Sequence, residues 1–171
     1  GSGGTVTVNY SGTVTKTSGG RVVAITNKTG GTVNFTGAVS GTGVSTGVRL
    51  DSNTGATVNF MGGLVMSTST GDAFSATGGG TLNICDENPC NNAATGALVN
   101  TLTTTTGTAL NVANTTIGAN NLEFRSISQA ADSIRWRHSG YEQAHVVNAA
   151  NSAVVLSRDQ QLELNPETLW F

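Results

Sequence analysis

At 171 residues the chain is long enough for one domain with a substantial core, yet only 11% of it is charged, Gly contributes 23 residues and Pro only 2. A formal net charge of −2 offers no basic surface for nucleic acid or an anionic membrane, and no run of 18 apolar residues is present to cross a bilayer. The N-terminus lacks the charged and apolar regions of a signal peptide, and since the chain opens on a strand phrase already under way it reads as a mature fragment of something longer.

That first phrase is Thr5-Val6-Thr7-Val8. It returns as Thr32-Val33-Asn34-Phe35, Thr57-Val58-Asn59-Phe60 and Thr81-Leu82-Asn83-Ile84, at intervals of 27, 25 and 24 residues. A second phrase runs in phase with it. Val23-Ala24-Ile25-Thr26-Asn27-Lys28-Thr29-Gly30 aligns with Val48-Arg49-Leu50-Asp51-Ser52-Asn53-Thr54-Gly55, and looser copies follow at Phe74–Gly78 and Leu110–Thr115. Short alternating strands separated by Gly and Asn turns, repeating every 25 residues or so, are the pattern of a solenoid whose units bury their apolar faces against one another. An antiparallel sandwich also has short strands and Gly-rich turns, but gives no reason for the strand pairs to repeat in phase.

The expected fold is therefore all-β, a right-handed parallel β-helix of about five coils over residues 1–128. Val6 and Val8, Val33 and Phe35, Val58 and Phe60, Leu82 and Ile84 are predicted to point inward. Thr5, Thr32, Thr57 and Thr81 form one predicted outward rank, and Thr7, Asn34, Asn59 and Asn83 another. Coils about 4.8 Å apart would build a rod of roughly 25 Å. Thr on the outer face is polar and β-branched, which keeps a weakly charged sheet soluble.

Thr26–Gly37 and Ser52–Leu64, together with Thr105–Gly118 and Leu122–Ser128, resemble the β-strand repeats of large bacterial surface proteins, the adhesin-like and autotransporter-passenger β-helices. The resemblance extends over about residues 4–128. It implies export, an extracellular or cell-surface location and a spacer or adhesive role toward a host or surface glycan or protein. It carries no catalytic motif and no cofactor.

After Ser128 the pattern breaks. Residues 129–171 hold a single Thr, both Trp, both His and three of the six Arg. This segment reads as an atypical C-terminal cap or appendage, with Ile134-Arg135-Trp136 as a last strand and Tyr141–Leu156 as helix or loop over the end. An uncapped rung is a template for another strand edge, so end-to-end homo-oligomers or filaments are expected, with Trp136 and Trp170 as anchors if the tail forms the junction.

Cys85-Asp86-Glu87-Asn88-Pro89-Cys90 is the sharpest local feature. Two Cys and no third can close a small disulfide loop in an oxidising compartment, whereas zinc would need two further ligands. Asp86, Glu87 and Asn88 lack the spacing of a known calcium loop and read as a solvated acidic turn. His138, Glu142 and His145 would share a helix face, but Gly140 interrupts the span and no fourth ligand is evident. No metal site is assigned. A glycan-cleaving β-helix would stack Asp, Lys and Arg at one repeat position, and Lys16, Arg21, Lys28, Arg49, Asp51, Asp72, Asp86 and Glu87 are scattered instead. Thr-x-Thr pairs at Thr5/Thr7, Thr13/Thr15 and Thr103/Thr105 raise ice binding as a further alternative. Sequons at Asn9, Asn27, Asn34 and Asn114 are expected by chance in an Asn- and Thr-rich chain.

Overall fold

A computed structural model describes residues 3–44, 46–91, 100–129, 145–146 and 154–156. Three strands make each turn of a parallel β-solenoid. β1 (Val8–Tyr10), β2 (Val14–Lys16) and β3 (Arg21–Thr26) form the first, followed by β4 (Thr32–Phe35), β5 (Val39–Val44) and β6 (Thr46–Asp51). The third turn is β7 (Thr57–Phe60), β8 (Leu64–Thr68) and β9 (Phe74–Thr77), and the fourth is β10 (Thr81–Ile84), β11 (Thr101–Thr104) and β12 (Leu110–Ala113). β13 (Thr116–Phe124) and β14 (Ser126–Gln129) begin a fifth. The strands stack in three parallel sheets, in the orders β1-β4-β7-β10-β13, β2-β5-β8-β11-β14 and β3-β6-β9-β12.

The two-residue period of the strands places their apolar residues inside. Val33, Phe35, Val58, Phe60, Leu82 and Ile84 from the first sheet meet Val39, Leu64, Met66 and Leu102 from the second and Val48, Leu50, Phe74, Ala76, Leu110 and Val112 from the third, all buried. Phe35 and Phe60 stack with centroids 4.9 Å apart and planes 5° apart, flanked by edge-on Tyr10 at 6.2 Å and Phe74 at 5.9 Å. Such pairs add about 0.5–1.5 kcal/mol each beyond the area they bury.

The sequence spacing misplaces the first turn by two residues. Val8 pairs with Val33, Asn9 with Asn34 and Tyr10 with Phe35, so the repeating unit is Thr-Val-Asn-aromatic and its first copy is Thr7-Val8-Asn9-Tyr10. The Thr rank is Thr32, Thr57, Thr81 and Thr116 on four successive strands, with Thr7 just ahead of β1 accepting the Thr32 N–H on its hydroxyl. The rank beside it is Asn9, Asn34, Asn59 and Asn83, in which each side-chain amide donates to the carboxamide oxygen one turn earlier at 2.7 Å. That ladder decides the register, because Thr7 in place of Asn9 would give Asn34 no amide partner. Val6 is not a stacked core residue. It lies ahead of β1 at 71% exposure, and Val8, though in line with buried Val33, is 46% exposed on an uncovered turn.

The corners repeat as strictly as the strands. The residue after each strand of the third sheet has positive φ, and it is Asn27, Ser52, Gly78 and Asn114 in successive turns. Gly and Asn tolerate the left-handed region best, and Ser52 is held in it by its N–H on the Thr77 carbonyl and its hydroxyl on Asp51. Between the first and second sheets Gly12, Gly37 and Gly62 stack so closely that a Cβ on Gly62 would sit 2.3 Å from the Gly37 carbonyl carbon. At the equivalent place in the fourth turn stands Asp86, and the connection from there to β11 at Thr101 is much longer than in the turns below, an excursion in the sequence repeat.

This excursion reduces the expected five coils to about four, since the turn from Thr81 to Thr116 consumes 35 residues. β13 carries a second irregularity. Leu82 pairs with Ile117 but Ile84 with Leu122, so extra residues bulge outward. Beyond β14, β16 (Val154–Leu156) pairs antiparallel with β13 and β15 (His145–Val146) antiparallel with β16. The described parts of Tyr141–Leu156 are thus strands rather than helix or loop, at the edge of the first sheet. Residues 134–136 and the two Trp, Trp136 and Trp170, lie outside the described residues.

Candidate functional site

Two places depart from the repeat, and both gather groups that a regular turn does not. The first is the excursion of the fourth turn. Cys85 enters it as an ordinary member of the solenoid, fully buried, its N–H on the Phe60 carbonyl at 2.9 Å as Met61 N–H is on Phe35. A disulfide joins it to Cys90 with Cα atoms 5.4 Å apart, closing the expected loop.

Asn100, 1% exposed, splices the excursion back into the stack. Its Oδ1 accepts the Leu64 N–H at 2.7 Å, where the turn below uses the backbone carbonyl of Gly63 to accept from Val39. Its Nδ2 donates to the carbonyls of both Cys85 and Glu123, at 2.9 and 2.8 Å. One side chain therefore ties the base of the disulfide loop to β13.

This closure folds the loop over Glu123. Oε2 of Glu123 accepts the Asp86 N–H at 2.9 Å, while Oε1 is buried and makes no hydrogen bond among the described residues. Asp86, Glu87 and Glu123 each place a carboxylate oxygen within 4.8 Å of the other two. Glu87 also accepts the Asn91 N–H at 3.2 Å. Burial, at 1% exposure, pushes the Glu123 carboxyl up to about 7, and the neighbouring Asp86 and Glu87 carboxylates add to that against the opposing Asp86 N–H. Desolvation followed by Asp86 raises Glu87 in the same way. Among the described residues no Lys or Arg pairs with Glu87 or Glu123; the one ion pair there, Arg49–Asp51, stands alone on the third sheet, where the Arg49 guanidinium holds Asp51 below the usual carboxylate range.

The second place is the uncovered first turn. Val8, Tyr10, Val14, Val23 and Ile25 line an apolar cavity of about 570 Å³ with Val6 lying across it. Lys28, 6% exposed, lies at its rim and donates from Nζ to the Val6 carbonyl at 2.6 Å. Among the described residues β1, β2 and β3 each have a strand neighbour on one side only.

Of the residues singled out in the sequence, Cys85 and Cys90 are bridged and Asp86 and Glu87 converge, while Asn88 is exposed. Glu123 escaped the sequence reading: flanked by buried Leu122 and Phe124, it takes by alternation an outward place, and only the folded-back loop buries it. His138 and Glu142 lie outside the described residues, and His145 sits on strand β15, so a shared helix face does not extend to it. The scattered repeat charges stay scattered, with no outward rank of the three sheets carrying two carboxylates among the described residues. Asn34 of the sequons is engaged in the amide ladder. Comparison with protein-family models, with curated proteins and with solved structures finds no match for the chain.

Proposed function

We propose that this chain is a structural segment of a solenoid rod, a spacer or adhesive element of a bacterial surface or secreted protein, extended by strand pairing at its open turn. The observation that carries the reading is that open turn, where strand edges of all three sheets lie beside an apolar interior with Tyr10 42% exposed at its mouth. A free edge over an apolar cavity is the shape that another rung fills. A disulfide suits an oxidising, extracellular setting.

A strand edge of like pattern fits there, and for the 171-residue chain taken by itself a second copy in head-to-tail contact supplies one. Light scattering and electron microscopy of the 171-residue chain test this, with Val8→Lys and Tyr10→Lys placed to spoil the docking edge. Concentration-dependent linear assemblies that these substitutions dissolve are expected. A chain that stays monomeric at all concentrations defeats the self-association.

One observation favours a second reading, ice binding, since the Thr rank of Thr32, Thr57 and Thr81 runs on in register to Thr116. The Asn rank beside it argues for the scaffold, because those amides are already bonded to one another and not free to order water. Thermal hysteresis that Thr57→Lys removes would decide for ice.

A further inference from the structure

The disulfide loop gathers three carboxylates where the neighbouring turns have a plain Gly corner, and two observations indicate that the gathering holds a ligand. Asp86, Glu87 and Glu123 each offer an oxygen, all within 4.8 Å of one another. Oxygens on opposite sides of a single calcium ion, each about 2.3–2.6 Å from it, are separated by a similar span. The three therefore fit within one coordination sphere. Independently, Glu123 is 99% buried, and among the described residues its Oε1 accepts no hydrogen bond while its Oε2 accepts the Asp86 N–H.

The donor set narrows the choice of ion. Carboxylate oxygens alone select a hard cation, and both sulfurs of the loop are committed to the disulfide and unavailable to a soft one. Mg²⁺ demands a tight octahedron at about 2.0–2.1 Å and gives up its water reluctantly, whereas Ca²⁺ accepts irregular carboxylate cages and fills its remaining places with water. Glu87, only partly buried, leaves the outer side of the cluster open for that water. We propose that Asp86, Glu87 and Glu123 bind one Ca²⁺ ion that fastens the disulfide loop to β13. Asn100 is a positioning residue in this site. Its amide holds the Cys85 and Glu123 carbonyls and so fixes the distance between the two halves before the ion arrives.

Isothermal titration calorimetry of the chelator-treated 171-residue chain with calcium chloride, and in parallel with magnesium chloride, tests the site. One Ca²⁺ per chain is expected with a dissociation constant of about 10⁻⁴–10⁻³ M or tighter, and Mg²⁺ at least about tenfold weaker. Glu87→Gln should weaken Ca²⁺ about tenfold or more, and Glu123→Gln should abolish binding. If Glu123→Gln fails to fold, Glu87→Gln and Asp86→Asn carry the test. No saturable heat up to about 10 mM Ca²⁺, or wild-type affinity in both of those variants, overturns the site. Equal affinity for Mg²⁺ overturns its assignment to calcium.

Discussion

The first three turns and the fourth are built from the same strands by opposite means. In the early turns the residues of the first sheet and of the corner after it are answered by their own kind one turn away. Asn34 meets Asn59, Phe35 meets Phe60 and Gly37 meets Gly62. In the fourth turn the likenesses stop at Asn83 and Cys85, and residues that resemble nothing below them are held by cross-links of several kinds: a disulfide, the three-way bonding of Asn100 and a carboxylate accepting a loop N–H. Self-likeness makes a rod cheap to lengthen and leaves no place special. Departure from it makes one place special, and local constraint replaces what the lattice no longer supplies.

The sharpest way to break the comparison is to cut a large hole in the regular part. Phe60→Ala removes a ring with 1% exposure that stacks on Phe35 and meets Phe74, and should cost about 3–5 kcal/mol in denaturant unfolding, whereas Thr57→Ala on the outer face should cost well under 1. Equal losses would contradict the inside and outside of the repeat.

The irregular turn should announce itself through pH. Folding raises the Glu123 pKa from 4.5 to about 7, so between those values the folded chain holds more protons than the unfolded one. This favourable contribution is fully present below about pH 4.5 and is lost as pH rises through 7. With chelator present, stability should fall from pH 5 to pH 8 by on the order of 3 kcal/mol from this group, and Glu123→Gln should flatten that fall. A slope unchanged in the variant would assign it elsewhere.

Smaller effects sharpen the contrast between constraint and repetition. Opening the disulfide with Cys90→Ser should cost about 2 kcal/mol, the entropy of a loop this short, and hydrogen exchange should rise around residues 85–91 and Glu123 while the first three turns are untouched. Asn59→Ala removes the donor to Asn34 Oδ1 and the acceptor of Asn83 Nδ2 and should cost about 1 kcal/mol, spread over adjacent turns instead of confined to one. Exchange that spreads equally in both variants would erase the distinction.

The legible part of the fold was the part that repeats. The third sheet could be aligned residue for residue, from Val23 through Val48 and Phe74 to Leu110, because its phrase is long and its corner always ends in Asn, Ser or Gly. The first sheet was readable from its second turn onward and wrong by two residues in its first. A shift of two keeps every side chain on its proper face, so burial cannot detect it; only the pairing of Asn9 with Asn34 and Tyr10 with Phe35 does. Along the second sheet a single position runs from Lys16 through Gly41 and Met66 to Leu102 with no recurring residue, and its register came only from the structure. Of the acidic site, Asp86 and Glu87 were visible and Glu123 was not, since its burial depends on a loop 37 residues earlier.

The amide ladder also gives the rod a direction. Asn34, Asn59 and Asn83 each donate toward the start of the chain, to the Asn one turn earlier, so the side-chain dipoles add along the axis, and each bond polarises the next. At the far end the series is stopped, because the Asn120 backbone N–H occupies Asn83 Oδ1 in the β13 bulge. At the near end it is still running, with Asn9 outermost. Any strand that extends the ladder there must bring an acceptor to meet an N–H, and one presenting a donor, or lying reversed, meets a pole of the wrong sign. A row of uncharged side chains can thereby discriminate the sense in which two rods meet.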